Sequence, residues 1–90
     1  MNTPPYRVLV AEDEPTFGLT VTRFLQKAGH EVKVCTLGKA ALKALAAAEW
    51  DVLLLDLKLP DVDGVEILAT VRREHPELQT IIVTGFANVQ

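Results

Sequence analysis

Four short apolar segments alternate with longer stretches of helical periodicity, and this alternation leaves few folds open to the chain. The apolar segments are RVLVA (7–11), EVKVCT (31–36), DVLLLD (51–56) and LQTIIVTG (78–85). The amphipathic stretches between them predict three helices, at residues 15–28, 38–48 and 62–75. The order β-α-β-α-β-α-β predicts an α/β fold, a doubly wound parallel sheet with right-handed crossovers and helices on both faces.

The composition of the chain argues against several classes of function. Ninety residues with 49% hydrophobic content fit one small globular domain, and a net charge of −3 argues against direct binding of nucleic acid. The longest apolar run, VLLL, is too short to span a membrane, and the N-terminal arm (1–6) has no signal-peptide pattern, so we expect a cytoplasmic location and no membrane contact. The single Cys35 excludes an internal disulfide.

Acidic residues follow two of the predicted strands. Glu12 and Asp13 come directly after the first strand, and Asp56 ends the third. Parallel strands place their carboxyl ends on one rim, so the three carboxylates converge if these strands are neighbours. Two carboxylates 5 Å apart repel by roughly 3 kcal/mol at an effective dielectric constant of about 20. A cluster of oxygen ligands without His or Cys favours Mg²⁺ or a similar hard cation.

The segment DVLLLDLKLPDVDG contains three further aspartates, and we assign them structural roles. Asp51 begins the strand, at the end away from the rim. Residues 59–62 fit a turn with proline in its second position, and Asp63 with Glu66 fits a capping box at the third helix. The glycine comes too early for a calcium-binding EF-hand loop. The residues assigned to the turn and the cap are Pro60, Asp61, Asp63 and Gly64.

Three motifs, VLVAEDEP, LLLDLKLPDVDG and IIVTGFA, stand in this order on three predicted strand ends. Together they resemble the receiver domain of bacterial two-component response regulators, from about Arg7 to Gln90. The resemblance implies a flavodoxin-like fold and a role in a phosphorelay. It also implies a phosphodonor partner, the phosphohistidine of a sensor histidine kinase.

The resemblance assigns roles to residues on the rim. It implies that Asp56 is the phosphoacceptor and contacts Mg²⁺, that Asp13 binds Mg²⁺ directly and Glu12 through water, and that Lys58 offers the metal its backbone carbonyl. Two residues after the fourth strand complete the implied set: Thr84 as the phosphoryl-sensing switch and Gly85 as the opening for phosphate. Aspartate carboxylates are normally ionised at neutral pH, so such a nucleophile needs no general base.

The chain departs from the family pattern at its C-terminal end. Receiver domains have five strands and five helices, whereas this chain stops at Gln90, around the start of the fourth helix. The lysine that ends the fifth strand in the family is therefore absent, and the fourth strand becomes an uncovered apolar edge. We expect residues 7–90 to be an incomplete receiver, part of a longer protein with a C-terminal output domain. If they are the whole molecule, we expect self-association through the fourth strand.

Two other functions remain open on the sequence. A receiver fold can act as an adaptor or dimerisation module that does not depend on phosphorylation. DVDG also resembles a segment of haloacid-dehalogenase-type phosphatases, but Pro60 separates it from the strand end. We therefore predict a phosphoacceptor and not a turnover enzyme. The TGFA ending resembles receivers of transcription regulators, whose DNA-binding part would lie beyond Gln90.

Overall fold

Four parallel strands and three helices follow one another in the predicted order. The computed structural model describes residues 4–83. Its elements are β1 (Arg7–Ala11), α1 (Pro15–Lys27), β2 (Glu31–Cys35), α2 (Gly38–Ala47), β3 (Val52–Asp56), α3 (Gly64–Glu74) and β4 (Gln79–Val83). The strands form one sheet in the order β2-β1-β3-β4, with every neighbouring pair parallel. The predicted doubly wound, flavodoxin-like sheet is confirmed.

Successive residues of the central strands point to opposite faces of the sheet. Leu9 and Leu53, fully buried, belong to the core that α2 and α3 cover. The helical members of this core are Ala41, Ala44, Leu45, Ile67 and Val71. On the other face α1 approaches β2 at Gly18, where a Cβ atom would lie 3.3 Å from Cγ1 of Val34. Helices therefore cover both faces, as continuous apolar strands require.

Helix α1 has a clear start and stop signal at its two ends. Pro15 occupies the first turn, and the Glu14 carboxylate accepts a hydrogen bond of 2.8 Å from the Phe17 N–H. At the other end Gly29 adopts φ 96°, a left-handed conformation that glycine takes at low cost. The His30 N–H then donates to the Leu25 carbonyl at 3.0 Å, which closes the helix with a Schellman pattern.

Asp51 joins the starts of two strands, at the end of the sheet away from the rim. Its Oδ2 accepts a hydrogen bond of 2.7 Å from the Arg7 N–H, and its own N–H donates to the Arg7 carbonyl at 2.8 Å. The Arg7 guanidinium lies 4.7 Å from the centre of the Trp50 ring and donates to the Glu49 carbonyl. The structural role predicted for Asp51 is confirmed.

Strand β4 lies at the edge of the sheet that residues 4–83 form. Its side chains Ile81 and Ile82 are 53% and 39% exposed, so the predicted apolar edge is present. None of the three helices in this part of the chain combines the length and apolar character needed to cross a membrane.

Candidate functional site

The three acidic residues meet at the carboxyl ends of β1 and β3. These strands are neighbours, with Ala11 paired to Leu55, so the residues that follow them emerge side by side. Glu12, Asp13 and Asp56 each offer one carboxylate oxygen, and the three oxygens lie within 4.8 Å of one another. Glu12 and Asp56 are only 3% and 4% exposed, whereas Asp13 is exposed. The convergence expected from the strand order is therefore present.

Backbone pairing holds Glu12 in place. Its N–H donates to the Cys35 carbonyl at 3.0 Å, which continues the pairing of β1 with β2 by one residue. Its Oε2 accepts a hydrogen bond of 3.0 Å from the Glu14 N–H. Burial raises the pKa of the Glu12 carboxyl, the Glu14 N–H opposes this shift, and the charges of Asp56 and Asp13 add to the rise.

The side chain of Asp56, the candidate phosphoacceptor, is held in its orientation by the residue two positions after it. Oδ1 of Asp56 accepts a hydrogen bond of 2.9 Å from the Lys58 N–H. The chain then returns toward the strand, because the Gly64 N–H donates to the Leu57 carbonyl at 3.1 Å. A Cβ atom at Gly64 would lie 2.3 Å from Cα of Leu57, so only glycine fits at the start of α3.

The loop between β3 and α3, residues 57–63, differs in part from the expected turn and capping box. Its backbone bends at residues 60–62, and Oδ1 of Asp63 accepts the Val65 N–H at 2.9 Å, which caps α3. Within residues 4–83 the Glu66 side chain makes no return hydrogen bond to the cap, so half of the expected capping box is absent. Asp61, expected to shape the turn, also makes contacts outside it.

The Asp61 carboxylate binds the N-terminus of α2. Its Oδ1 accepts the Gly38 N–H at 2.6 Å, and its Oδ2 accepts the Lys39 N–H at 3.0 Å. These partners are more than twenty positions away, so local spacing in the sequence could not reveal them. One signal was available: α2 begins after Leu37, whose side chain cannot accept a hydrogen bond, so the helix needs a capping group from elsewhere.

Of the three remaining predicted residues, Lys58 lies within residues 4–83. Lys58 is exposed and forms an isolated antiparallel bridge with Asp63. In the register of β3 with β4, Asp56 pairs with Val83, so β4 ends beside the acidic cluster. Thr84 and Gly85, the predicted switch and phosphate opening, lie outside the described residues.

The size of a concavity does not identify the site. A concavity of about 1290 Å³ lies at the opposite end of the sheet and is lined mainly by residues 45–52 and 75–79. No cluster of three potential metal ligands within residues 4–83 includes any of these residues. Chemistry at the strand ends, and not volume, marks the acidic rim as the candidate functional site.

Comparisons with known proteins agree with this geometry. Residues 8–90 match the response regulator receiver domain. The transcriptional regulatory protein TcrA of Mycobacterium tuberculosis is 35% identical over 79 residues, which are 88% of this chain and 31% of TcrA. The response regulator receiver protein CpdR of Brucella abortus is 32% identical over 83 residues, which are 92% of this chain and 69% of CpdR.

Solved structures give the same result. The response regulator protein TrrA of Thermotoga maritima, in complex with Mg²⁺ and beryllium fluoride, superimposes with a TM-score of 0.84 at 28% identity over 91% of this chain and 71% of TrrA. TrrA has also been crystallised with the histidine kinase ThkA. The chain spans about a third of the length of TcrA. The match over residues 8–90 and the shared fold establish that this chain belongs to the response regulator receiver domain family.

Proposed function

We propose that this chain is the signal receiver of a two-component phosphorelay and accepts a phosphoryl group from a histidine kinase on Asp56. The observation that carries the proposal is the buried Asp56 carboxylate at the rim, with oxygens of Glu12 and Asp13 within 4.8 Å. The relative TrrA, crystallised with a histidine kinase, supports the choice of partner. Membership of the receiver family, which is not one of turnover enzymes, decides against the phosphatase alternative.

The acidic cluster fits Mg²⁺ as the cofactor. Its donors are carboxylate oxygens from two neighbouring strand ends, and Mg²⁺ prefers such oxygens with water completing its coordination. We assign Asp13 and Asp56 as direct ligands, Glu12 as a ligand through water, and the backbone carbonyl of Lys58 as the fourth protein group. When bound, Mg²⁺ would supply positive charge against the carboxylates and the phosphoryl oxygens. The Mg²⁺-bound structure of TrrA supports this assignment.

The chain's own groups prepare Asp56 for the transfer. The Lys58 N–H holds Oδ1 at 2.9 Å, so the carboxylate has a defined orientation and its other oxygen, Oδ2, is our candidate nucleophile. In the proposed step an Oδ2–phosphorus bond forms while the nitrogen–phosphorus bond of the phosphohistidine breaks. The imidazole of the kinase leaves with the electron pair of that bond. Burial of Asp56 restricts access of bulk water to the acyl phosphate that results.

The wider role rests on residues outside the described range. We propose that Thr84 binds the transferred phosphoryl group and that Gly85 leaves space for it to enter. In this proposal residues 1–6 form an arm and residues 7–90 the receiver portion of a longer regulator. The phosphorylated receiver would then switch an output domain or a partner, in the cytoplasm. The similarity to the transcriptional regulatory protein TcrA supports an output on transcription.

Intact mass measurement after incubation with a small phosphodonor tests the proposal. The full natural chain should gain one phosphoryl group in the presence of Mg²⁺ and lose the adduct when Mg²⁺ is chelated. Asp56→Asn should abolish the adduct, because an amide oxygen is a poor nucleophile at phosphorus.

Asp51→Asn provides a matched control. It makes the same chemical change at the other end of the same segment, where Oδ2 accepts the Arg7 N–H. This variant should gain the phosphoryl group like the wild type. An adduct that persists in Asp56→Asn would contradict the choice of acceptor. Binding of beryllium fluoride with Mg²⁺ is measured on the same samples. If the wild type gains no adduct and binds no beryllium fluoride, the result would instead favour an adaptor that acts without phosphorylation.

A further inference from the structure

The start of α2 is capped by a residue from a different part of the chain. The carboxylate of Asp61 receives the first two amides of the helix, from Gly38 at 2.6 Å and Lys39 at 3.0 Å. The helix's own N-cap residue, Leu37, makes no side-chain hydrogen bond. Asp61 therefore supplies what Leu37 cannot, and its negative charge lies at the positive end of the helix dipole.

Packing reinforces this link between the loop and the helix. A Cβ atom at Gly38 would lie 2.7 Å from Cβ of Val62 and 3.1 Å from Cδ1 of Ile67. The absence of a side chain at Gly38 is what lets the loop come this close. Residues 61 and 62 are thus joined to α2 both by hydrogen bonds and by direct contact.

The same loop holds the reactive carboxylate at its other end. Lys58, three residues before Asp61, donates its N–H to Oδ1 of Asp56 at 2.9 Å. Just before Lys58 in the chain, the Leu57 carbonyl accepts the Gly64 N–H. After Lys58, the loop is held by the hydrogen bond between Asp61 and α2. The orientation of Lys58 therefore depends on both anchors.

We infer that Asp61 is a positioning residue for the Asp56 site: its bonds to α2 hold the β3–α3 loop so that Lys58 presents its N–H to Asp56 and its carbonyl to the metal. The part of this inference that concerns the metal rests on the proposed function. The hydrogen bonds from Lys39 and Gly38 lower the pKa of the Asp61 carboxyl, so Asp61 is ionised at neutral pH and its bonds are charge-assisted.

A rescue experiment separates positioning from helix capping. Asp61→Ala removes both functions. Adding Leu37→Ser gives α2 a capping hydroxyl of its own, at an exposed position with the extended backbone that N-cap residues adopt, but does not restore the bond to the loop. Asp63→Ala is the matched control, because it removes a helix cap and a charge from the same loop without touching α2.

Two measurements are made on each variant. The first is the hydrogen-exchange rate of the Lys58 amide in the metal-free protein, followed by NMR. The second is the dissociation constant of Mg²⁺, measured by titration calorimetry. For Asp61→Ala we expect Mg²⁺ binding about tenfold weaker, the loss typical of groups that hold a metal ligand from behind. The Lys58 amide should exchange faster as well. Asp63→Ala changes only a side chain and leaves the backbone pairing of residue 63 with Lys58 in place, so it should resemble the wild type in both measurements.

The double variant decides the question. A thermal melting curve serves as the readout of helix capping: Asp61→Ala should melt at a lower temperature than the wild type, and adding Leu37→Ser should restore part of that loss. We expect the Lys58 amide of the double variant still to exchange fast and Mg²⁺ still to bind weakly. Wild-type exchange and wild-type Mg²⁺ affinity in the double variant would show that Asp61 is only a helix cap, and would overturn the inference. If the wild type binds no Mg²⁺, the proposed function fails, and the metal-free exchange rates still decide whether Asp61 positions the loop.

Discussion

At the scale of single residues, the site concentrates negative charge where burial makes it costly. Glu12 and Asp56 are almost fully buried within reach of each other, and burial is the main cause of the raised pKa of Glu12. Neither residue forms a salt bridge with a basic side chain in residues 4–83. The arrangement therefore weakens the metal-free fold and favours binding of a cation.

We predict that Glu12→Gln stabilises the metal-free protein. The amide can still accept the Glu14 N–H, but it removes a buried charge next to Asp56. The free energy of unfolding at neutral pH should rise by about 1 kcal/mol, a size common for single substitutions. Urea denaturation measures the change, and Glu49→Gln, an exposed residue away from the rim, is the control.

The stability gained by Glu12→Gln should depend on pH. The pKa of Glu12 in the folded protein is above its ordinary value of 4.5, so the folded state binds more protons and loses stability as pH rises through that window. The advantage of Glu12→Gln should be absent below about pH 4.5 and complete above the folded pKa. Addition of Mg²⁺ should stabilise the wild type more than the variant. A variant that is less stable than the wild type at neutral pH would contradict this account.

At the scale of elements, sequence periodicity located each strand and helix of residues 4–83, because a helix here buries one apolar stripe and a central strand buries both of its faces. The central strands are rich in apolar residues, whereas β2, at an edge, alternates between exposed and less exposed residues. The strand ends placed Glu12, Asp13 and Asp56 together because parallel strands share a rim. The contacts of Asp61 with α2 were not predictable in this way, since they depend on how a loop packs against a helix distant in the chain.

Gly64→Ala should be severely destabilising. Cβ at this position would meet Cα, C and O of Leu57 at 2.3, 2.8 and 2.8 Å, and these backbone atoms cannot yield without moving the residue next to Asp56. We expect a loss of about 3 kcal/mol in the free energy of unfolding, measured by chemical denaturation. Gly18→Ala is the matched control, because its Cβ would meet the two methyl groups of Val34, at 3.3 and 3.9 Å, and alanine favours the helix. Equal losses in the two variants would argue against the close backbone contact.

At the scale of the whole molecule, the sheet is protected unevenly. β1 and β3 have a neighbour on each side, whereas β4 presents an edge with two exposed isoleucines in the described part of the chain. An exposed apolar edge is a template for pairing with another strand. In a longer receiver that pairing would be internal.

We predict that the 90-residue chain, studied by itself, self-associates through β4. Ile81→Lys places a charge on the edge at a side chain that is 53% exposed, and should shift the population toward monomer. Light scattering across a concentration series measures the change. Leu19→Lys, at a similarly exposed apolar position on α1, is the control and should leave the association unchanged. A well-folded monomer of the wild-type chain at all concentrations would contradict the prediction.

The strand order β2-β1-β3-β4 has a consequence for how the molecule is made. As the polypeptide leaves the ribosome, β2 finds β1 already present, β3 joins the free side of β1, and β4 joins β3. Each strand after β1 finds a partner that has already been synthesised, so the sheet can grow outward in the order of translation. The Asp56 carboxylate acquires its acidic neighbours as soon as β3 docks, before β4 has been added.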